Sequence, residues 1–126
     1  MTETKPTVLI VDDPILHRAY SLALSKSGFE VKLAFSFEEV DKLLRNGSGI
    51  DAVVAAYGSA PKSGLDIIEA ARQTKPEIPC LLVSAVCSPS SPEFVNAVKR
   101  CGNIDYVQKC EGWFDYLGPT LQKYFK

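Results

Sequence analysis

Thr7-Val8-Leu9-Ile10-Val11-Asp12-Asp13 is the stretch whose reading decides the fold. Its first five residues form an apolar run, four of them β-branched, that stops abruptly at two adjacent carboxylates. An unbroken run of this kind suits a strand covered on both faces, as in the middle of a parallel sheet. Packing alone does not explain the two charges, because burying an ion without a partner costs several kcal/mol. The pair therefore belongs where the strand leaves the sheet, at its carboxyl edge, which is where open α/β sheets build their sites. Asp13 also stands directly before Pro14, an N-cap followed by proline at the first helical position. Capping accounts for Asp13 and leaves Asp12 unexplained.

Working outward, a helix is predicted from Pro14 to about Ser27, with Ile15, Leu16, Ala19, Tyr20, Ala23 and Leu24 on one stripe and Gly28 after its end. Phe29 to Ala34 alternates apolar and charged residues, the pattern of an edge strand wet on one side. Ser36-Phe37-Glu38-Glu39 reads as a capping box, with Phe35 and Val40 placed as a hydrophobic staple, opening a helix that ends near Asn46-Gly47. Asp51 to Ala56 is a second fully apolar strand. A third helix spans about Ser63 to Thr74, a strand Ile78 to Ser84, a helix opens at Ser91-Pro92, and a short strand runs from Ile104 to Gln108. Trp113, Leu117, Leu121 and Phe125 lie four apart in the tail, and Gly118-Pro119 interrupts them, so a turn at Trp113-Phe114 and a short helix from Pro119 are expected. Strand and helix alternate five times, which implies a parallel five-stranded α/β sheet with helices on both faces. The two fully apolar strands belong in the centre, so the flavodoxin-like order 2-1-3-4-5 fits, a (βα)5 three-layer sandwich.

Bulk properties narrow the function. A chain of 126 residues is read as a single domain, 1–126, standing alone or opening a longer protein. A net charge of −1 argues against nucleic-acid binding by this domain. No apolar run can span a bilayer, and the first residues have no signal-peptide core, so a cytoplasmic location is expected. The four cysteines, Cys80, Cys87, Cys101 and Cys110, lack metal-site spacing and fit reduced thiols. His17, the only histidine, cannot make a metal site by itself.

In the expected topology Asp12 and Asp13, Ser84 and Lys109 converge on one crevice from the ends of different strands. Carboxylates, a hydroxyl and an ammonium at one point suit a phosphoryl group and its Mg²⁺. Val8-Leu9-Ile10-Val11-Asp12-Asp13, Ile78-Pro79-Cys80-Leu81-Leu82-Val83-Ser84-Ala85 and Asp105-Tyr106-Val107-Gln108-Lys109 resemble the receiver domain of bacterial response regulators, over essentially the whole chain. The resemblance implies Mg²⁺ on Asp12 and Asp13. It also implies phosphate contacts from Ser84 and Lys109, and a rotamer switch at Tyr106. The family's phosphoacceptor aspartate ends the third strand. Counting from Asp51 puts that position at Ala56, and counting back from Pro61 puts it at Tyr57. Neither side chain makes an acyl phosphate.

The chain thus reads as a pseudo-receiver, non-enzymatic, acting by protein–protein interaction in a two-component or phosphorelay pathway. No cofactor is expected beyond weak Mg²⁺, and Lys109 is expected to pair with Asp13 instead. The turn after Asp13 is one residue shorter than the family's Asp-Asp-x-Pro, which brings Pro14 against the pocket, and Cys110 stands where the family has proline. The expected partners are a histidine kinase, an effector or another receiver, with no membrane, and the chain a monomer or weak homodimer. Phe94, Trp113, Phe114 and Tyr116 are the candidate partner surface, since exposed aromatics mark interfaces. Two alternatives stay open: a working phosphoacceptor at another residue (Asp12, Asp13, Ser59 or Ser63), and a small-molecule sensor with Tyr57 as a stacking wall.

Overall fold

The computed structural model describes residues 5–45, 49–57, 64–85 and 90–125. The strands are β1 (Thr7–Val11), β2 (Glu30–Leu33), β3 (Ile50–Ala56), β4 (Cys80–Ser84) and β5 (Asp105–Gln108). The helices are α1 (His17–Lys26), α2 (Phe37–Arg45), α3 (Gly64–Thr74), α4 (Pro92–Cys101) and α5 (Leu117–Gln122). Short 3-10 turns at Pro14–Leu16 and Trp113–Tyr116 lead into α1 and α5. The five strands pair in parallel in the order β2-β1-β3-β4-β5, as the hydrophobic pattern requires. No helix among the described residues is long and apolar enough to cross a membrane.

Strand alternation divides the core in two. Leu9, Val53, Ala55 and Leu82 face α2, α3 and α4, which contribute Val40, Leu44, Ile68, Ala71, Phe94 and Ala97. Val8, Ile10, Val54, Ala56, Leu81 and Val83 face α1 and α5, which contribute Tyr20, Leu24, Leu117 and Leu121. The β1–β3 register slips between Thr7 and Val8, and the Asp51 carboxylate accepts the Thr7 N–H at 2.8 Å there. Arg72 of α3 donates to three carbonyls, Ile78 at 2.8 Å, Cys101 at 2.6 Å and Asn103 at 2.7 Å, tying the end of α4 to the start of β4.

The capping box forms in part. Ser36 Oγ accepts the Glu39 N–H at 3.2 Å, and Glu39 reaches back to the N–H of Phe35 rather than Ser36. The expected staple does not form: Phe35 is 52% exposed, and Phe37 packs on the core instead. The helix end expected near Asn46-Gly47 lies outside the described residues. In the tail, α5 begins at Leu117, two residues before the expected Pro119. Pro119 then falls in the first turn, where its missing N–H breaks no helical bond. Gly118 is what lets α5 approach α1: a Cβ there would stand 1.9 Å from Ser27 Oγ. Gln122 Nε2 donates to the Ser27 carbonyl at 2.9 Å across the same contact.

Candidate functional site

Asp12 follows β1 and continues the alternation of Val8 and Ile10, so its side chain belongs to the α1–α5 face. The pairing Val11↔Ala55 places Asp12 beside Ala56, whose methyl lies on that same face. Tyr57 packs against the opposite core. Of the two candidate acceptor positions, Ala56 is therefore the one beside Asp12.

Asp12 is 7% exposed, and among the described residues an amide, a phenol and an ammonium hold it. The Asp13 N–H donates to Oδ1 at 2.6 Å, the Tyr20 hydroxyl donates to Oδ2 at 2.5 Å, and Lys109 Nζ lies 2.9 Å from the same oxygen. The two side-chain contacts are charge-assisted hydrogen bonds, roughly twice as strong as neutral ones. Lys109 is delivered by β5, and its own N–H donates to the Ser84 carbonyl at 2.8 Å. Its ammonium stands 5.3 Å from the ring centroid of Trp113. Tyr20 meets Trp113 edge-on at 5.5 Å and Phe114 at 5.3 Å, and those two rings stack at 3.8 Å. Burial, together with the hydrogen bond to Asp12 and the charge of Asp12, pushes the Tyr20 phenol far above its usual range. The shift favours the protonated phenol, the form that donates to Asp12.

The structure corrects the expected pairing: Lys109 bonds Asp12, not Asp13. Alternation turns Asp13 outward, where its Oδ1 accepts the Ile15 N–H at 3.0 Å and caps the 3-10 turn. Pro14, expected against the pocket, is exposed on that turn. Ser84 is 1% exposed, and with Tyr106 it follows Leu82 onto the α3–α4 face. Tyr106 meets Phe94 edge-on at 5.9 Å. The candidate residues thus split between the two faces, with Asp12, Ala56 and Lys109 on one and Tyr57, Ser84 and Tyr106 on the other.

The expected aromatic surface is mostly turned inward. Phe94 is 6% exposed against Tyr106, and Trp113 and Phe114 are half-buried because the 3-10 turn rotates them onto Tyr20. Tyr116, at 59% exposure, is the one of the four that stands in solvent. Ser59 and Ser63 lie outside the described residues.

The fold implies Mg²⁺ at this edge, and the donors present do not fit it. Both Asp12 oxygens receive hydrogen bonds, and the Lys109 ammonium supplies the positive charge a metal would bring. Ala56 offers no side-chain oxygen, and Asp13 is committed to capping. Among the described residues, no group of three or more His, Cys, Asp or Glu side chains could hold a metal ion. Sequence reasoning missed Tyr20, which sat on an apolar helical stripe. Its phenol, eight residues after Asp12, was the available signal.

No protein-family model matches the chain. It is 27% identical over 109 residues to the DNA-binding transcriptional regulator NtrC of Rhizobium meliloti (strain 1021), covering 84% of this chain and 21% of that protein. The chain therefore spans about a fifth of the length of that relative. A response regulator from Thermotoga maritima superposes with a TM-score of 0.75 at 29% identity, covering 95% of this chain and 97% of the other. A chain in the structure of histidine kinase ThkA in complex with response regulator protein TrrA gives a TM-score of 0.78 at 24% identity, covering 96% and 99%. With its strand order and the acid–lysine pair at the carboxyl edge, the chain has the CheY-like receiver fold of response regulators.

Proposed function

We propose that the chain is a receiver-like signalling module that takes no phosphoryl group at the position its fold reserves and works by docking to another protein of a two-component or phosphorelay pathway. The observation that carries this is the Ala56 methyl beside a carboxylate, Asp12, that Lys109 already neutralises. Alanine has no atom to attack phosphorus, and a carboxylate bonded to an ammonium, a phenol and an amide is a poor nucleophile. Asp13, the other carboxylate at this edge, is turned away from Lys109. A histidine kinase, an effector or another receiver is the partner class that fits. The ThkA–TrrA structure, which contains a chain of this fold, pairs a histidine kinase with a response regulator.

The test is intact-mass analysis after incubation with acetyl phosphate and Mg²⁺, together with amide spectra in beryllofluoride and Mg²⁺. The expected result is no added phosphoryl mass and no shifts spreading from Ser84 to Tyr106. Affinity for the pathway's kinase should be the same with and without ATP. A gain of one phosphoryl group on the native chain would overturn the reading.

A further inference from the structure

We propose that Tyr20 is a built-in occupant of the pocket, its hydroxyl holding Asp12 against cations, so that two residues, Ala56 and Tyr20, silence this site. The inference rests on the reading above and adds to it a residue that no family resemblance supplies.

Among the described residues, a cation approaching Asp12 Oδ2 meets the Lys109 ammonium at 2.9 Å and the Tyr20 hydroxyl at 2.5 Å. They differ in how they can yield. The Lys109 side chain is 21% exposed on a flexible stem, so it can swing its charge into water. Tyr20 is wholly buried on α1, its ring fixed edge-on against Trp113 and Phe114. Turning its hydroxyl away from Asp12 costs a buried O–H its acceptor among the described residues, which is disfavoured by more than the hydrogen bond itself is worth. Adding a carboxylate at position 56 therefore restores by itself only a weak cation site.

Four proteins of 126 residues test this: the native chain, Tyr20→Phe, Ala56→Asp and the double variant, each titrated with Mg²⁺ in a calorimeter. Phenylalanine keeps the ring contacts and removes only the hydroxyl. The expected result is weak binding by Ala56→Asp and binding about tenfold tighter by the double variant, the effect of one charge-assisted hydrogen bond of about 1.4 kcal/mol. Affinities for Ala56→Asp and the double variant within twofold of each other would overturn the proposal. Should Ala56→Asp not fold, terbium(III) luminescence sensitised by Trp113 compares the native chain with Tyr20→Phe, Asp12→Asn supplying the background. Tighter terbium binding by Tyr20→Phe supports the occupant, and equal binding defeats it. Phosphorylation of the native chain would defeat the proposed function, whereas a flat response to Tyr20→Phe defeats the occupant alone.

Discussion

Removing either partner of the Asp12–Lys109 pair should have unequal consequences, and the inequality separates an internal ion pair from a degenerate metal site. The Asp12 side chain is 2% exposed and the Lys109 side chain 21%, with 2.9 Å between the charged atoms. At an effective dielectric near 20 the attraction is about 6 kcal/mol before desolvation, which offsets much of it. Deleting one partner of a buried pair costs about 3–5 kcal/mol because the other charge is stranded. Lys109→Met strands Asp12, which keeps the Tyr20 hydroxyl and the Asp13 N–H, while the methionine still covers Trp113. Those remaining donors, and solvent screening at Lys109, reduce the expected loss to about 2–3 kcal/mol. Asp12→Asn strands no charge: its amide oxygen still accepts from Tyr20 and Lys109 can reach water, while its NH2 then faces the Asp13 N–H, which loses its acceptor. Its expected loss is about 1 kcal/mol.

Urea denaturation followed by Trp113 fluorescence reads both. With a slope near 2 kcal/mol/M, the midpoint should fall by about 1–1.5 M for Lys109→Met and about 0.5 M for Asp12→Asn. In a pocket of mutually repelling carboxylates, removing one acid stabilises the chain. A rise in midpoint for Asp12→Asn, or a larger loss for it than for Lys109→Met, would refute the ion-pair reading.

Gly118→Ala should destabilise by about 1–3 kcal/mol, because its Cβ would fall 1.9 Å from Ser27 Oγ. Adding Ser27→Gly should return most of the loss in thermal melts, and no recovery would locate the strain elsewhere. Alkaline unfolding should report Cys80 and Tyr20 together. Burial pushes the Cys80 thiol up to about 12 and the Tyr20 phenol higher still. Both folded-state values lie above the unfolded ones, so their contribution is complete below about pH 9 and is lost as pH rises beyond it, by up to about 1.4 kcal/mol per unit per group. Stability measured from pH 8 to 11 should fall less steeply in Cys80→Ala below pH 10 and in Tyr20→Phe above it. Unchanged slopes would remove those groups from the account.

The sheet was legible because burial on both faces leaves a one-dimensional trace. Thr7–Val11 and Ala52–Ala56 carry no alternation, Glu30–Leu33 does, and centre and edge follow. The choice between Ala56 and Tyr57 was not legible. It turns on strand parity, which here depends on a register slip at Thr7–Val8 that no local pattern announces. The partner of Lys109 was misread for a related reason: two adjacent aspartates look equivalent in sequence, and alternation sends one inward and one to a cap. The aromatic tail misled because a four-residue spacing specifies a helical stripe but not a 3-10 turn that rotates Trp113 and Phe114 onto Tyr20. The bond from Tyr20 to Asp12 was not legible, since an apolar stripe predicts burial and is silent on what a buried hydroxyl bonds.

On the proposed reading, the pocket's charge balance decides how such a module can signal. A switch needs two states with a ligand that favours one, and it shifts only by the ligand's differential affinity for the two. Here the ammonium, phenol and amide around Asp12 already supply the contacts that a metal and phosphate would otherwise make. Any such ligand must first break them, so its net preference for a second state is small or unfavourable. Tyr106 is correspondingly held on the far face against Phe94, with no acyl phosphate at residue 56 to call it inward. A chain built this way transmits by being present or absent at a partner's surface. Its control then belongs to its abundance and to the partner's state, and its own pocket serves to keep one conformation.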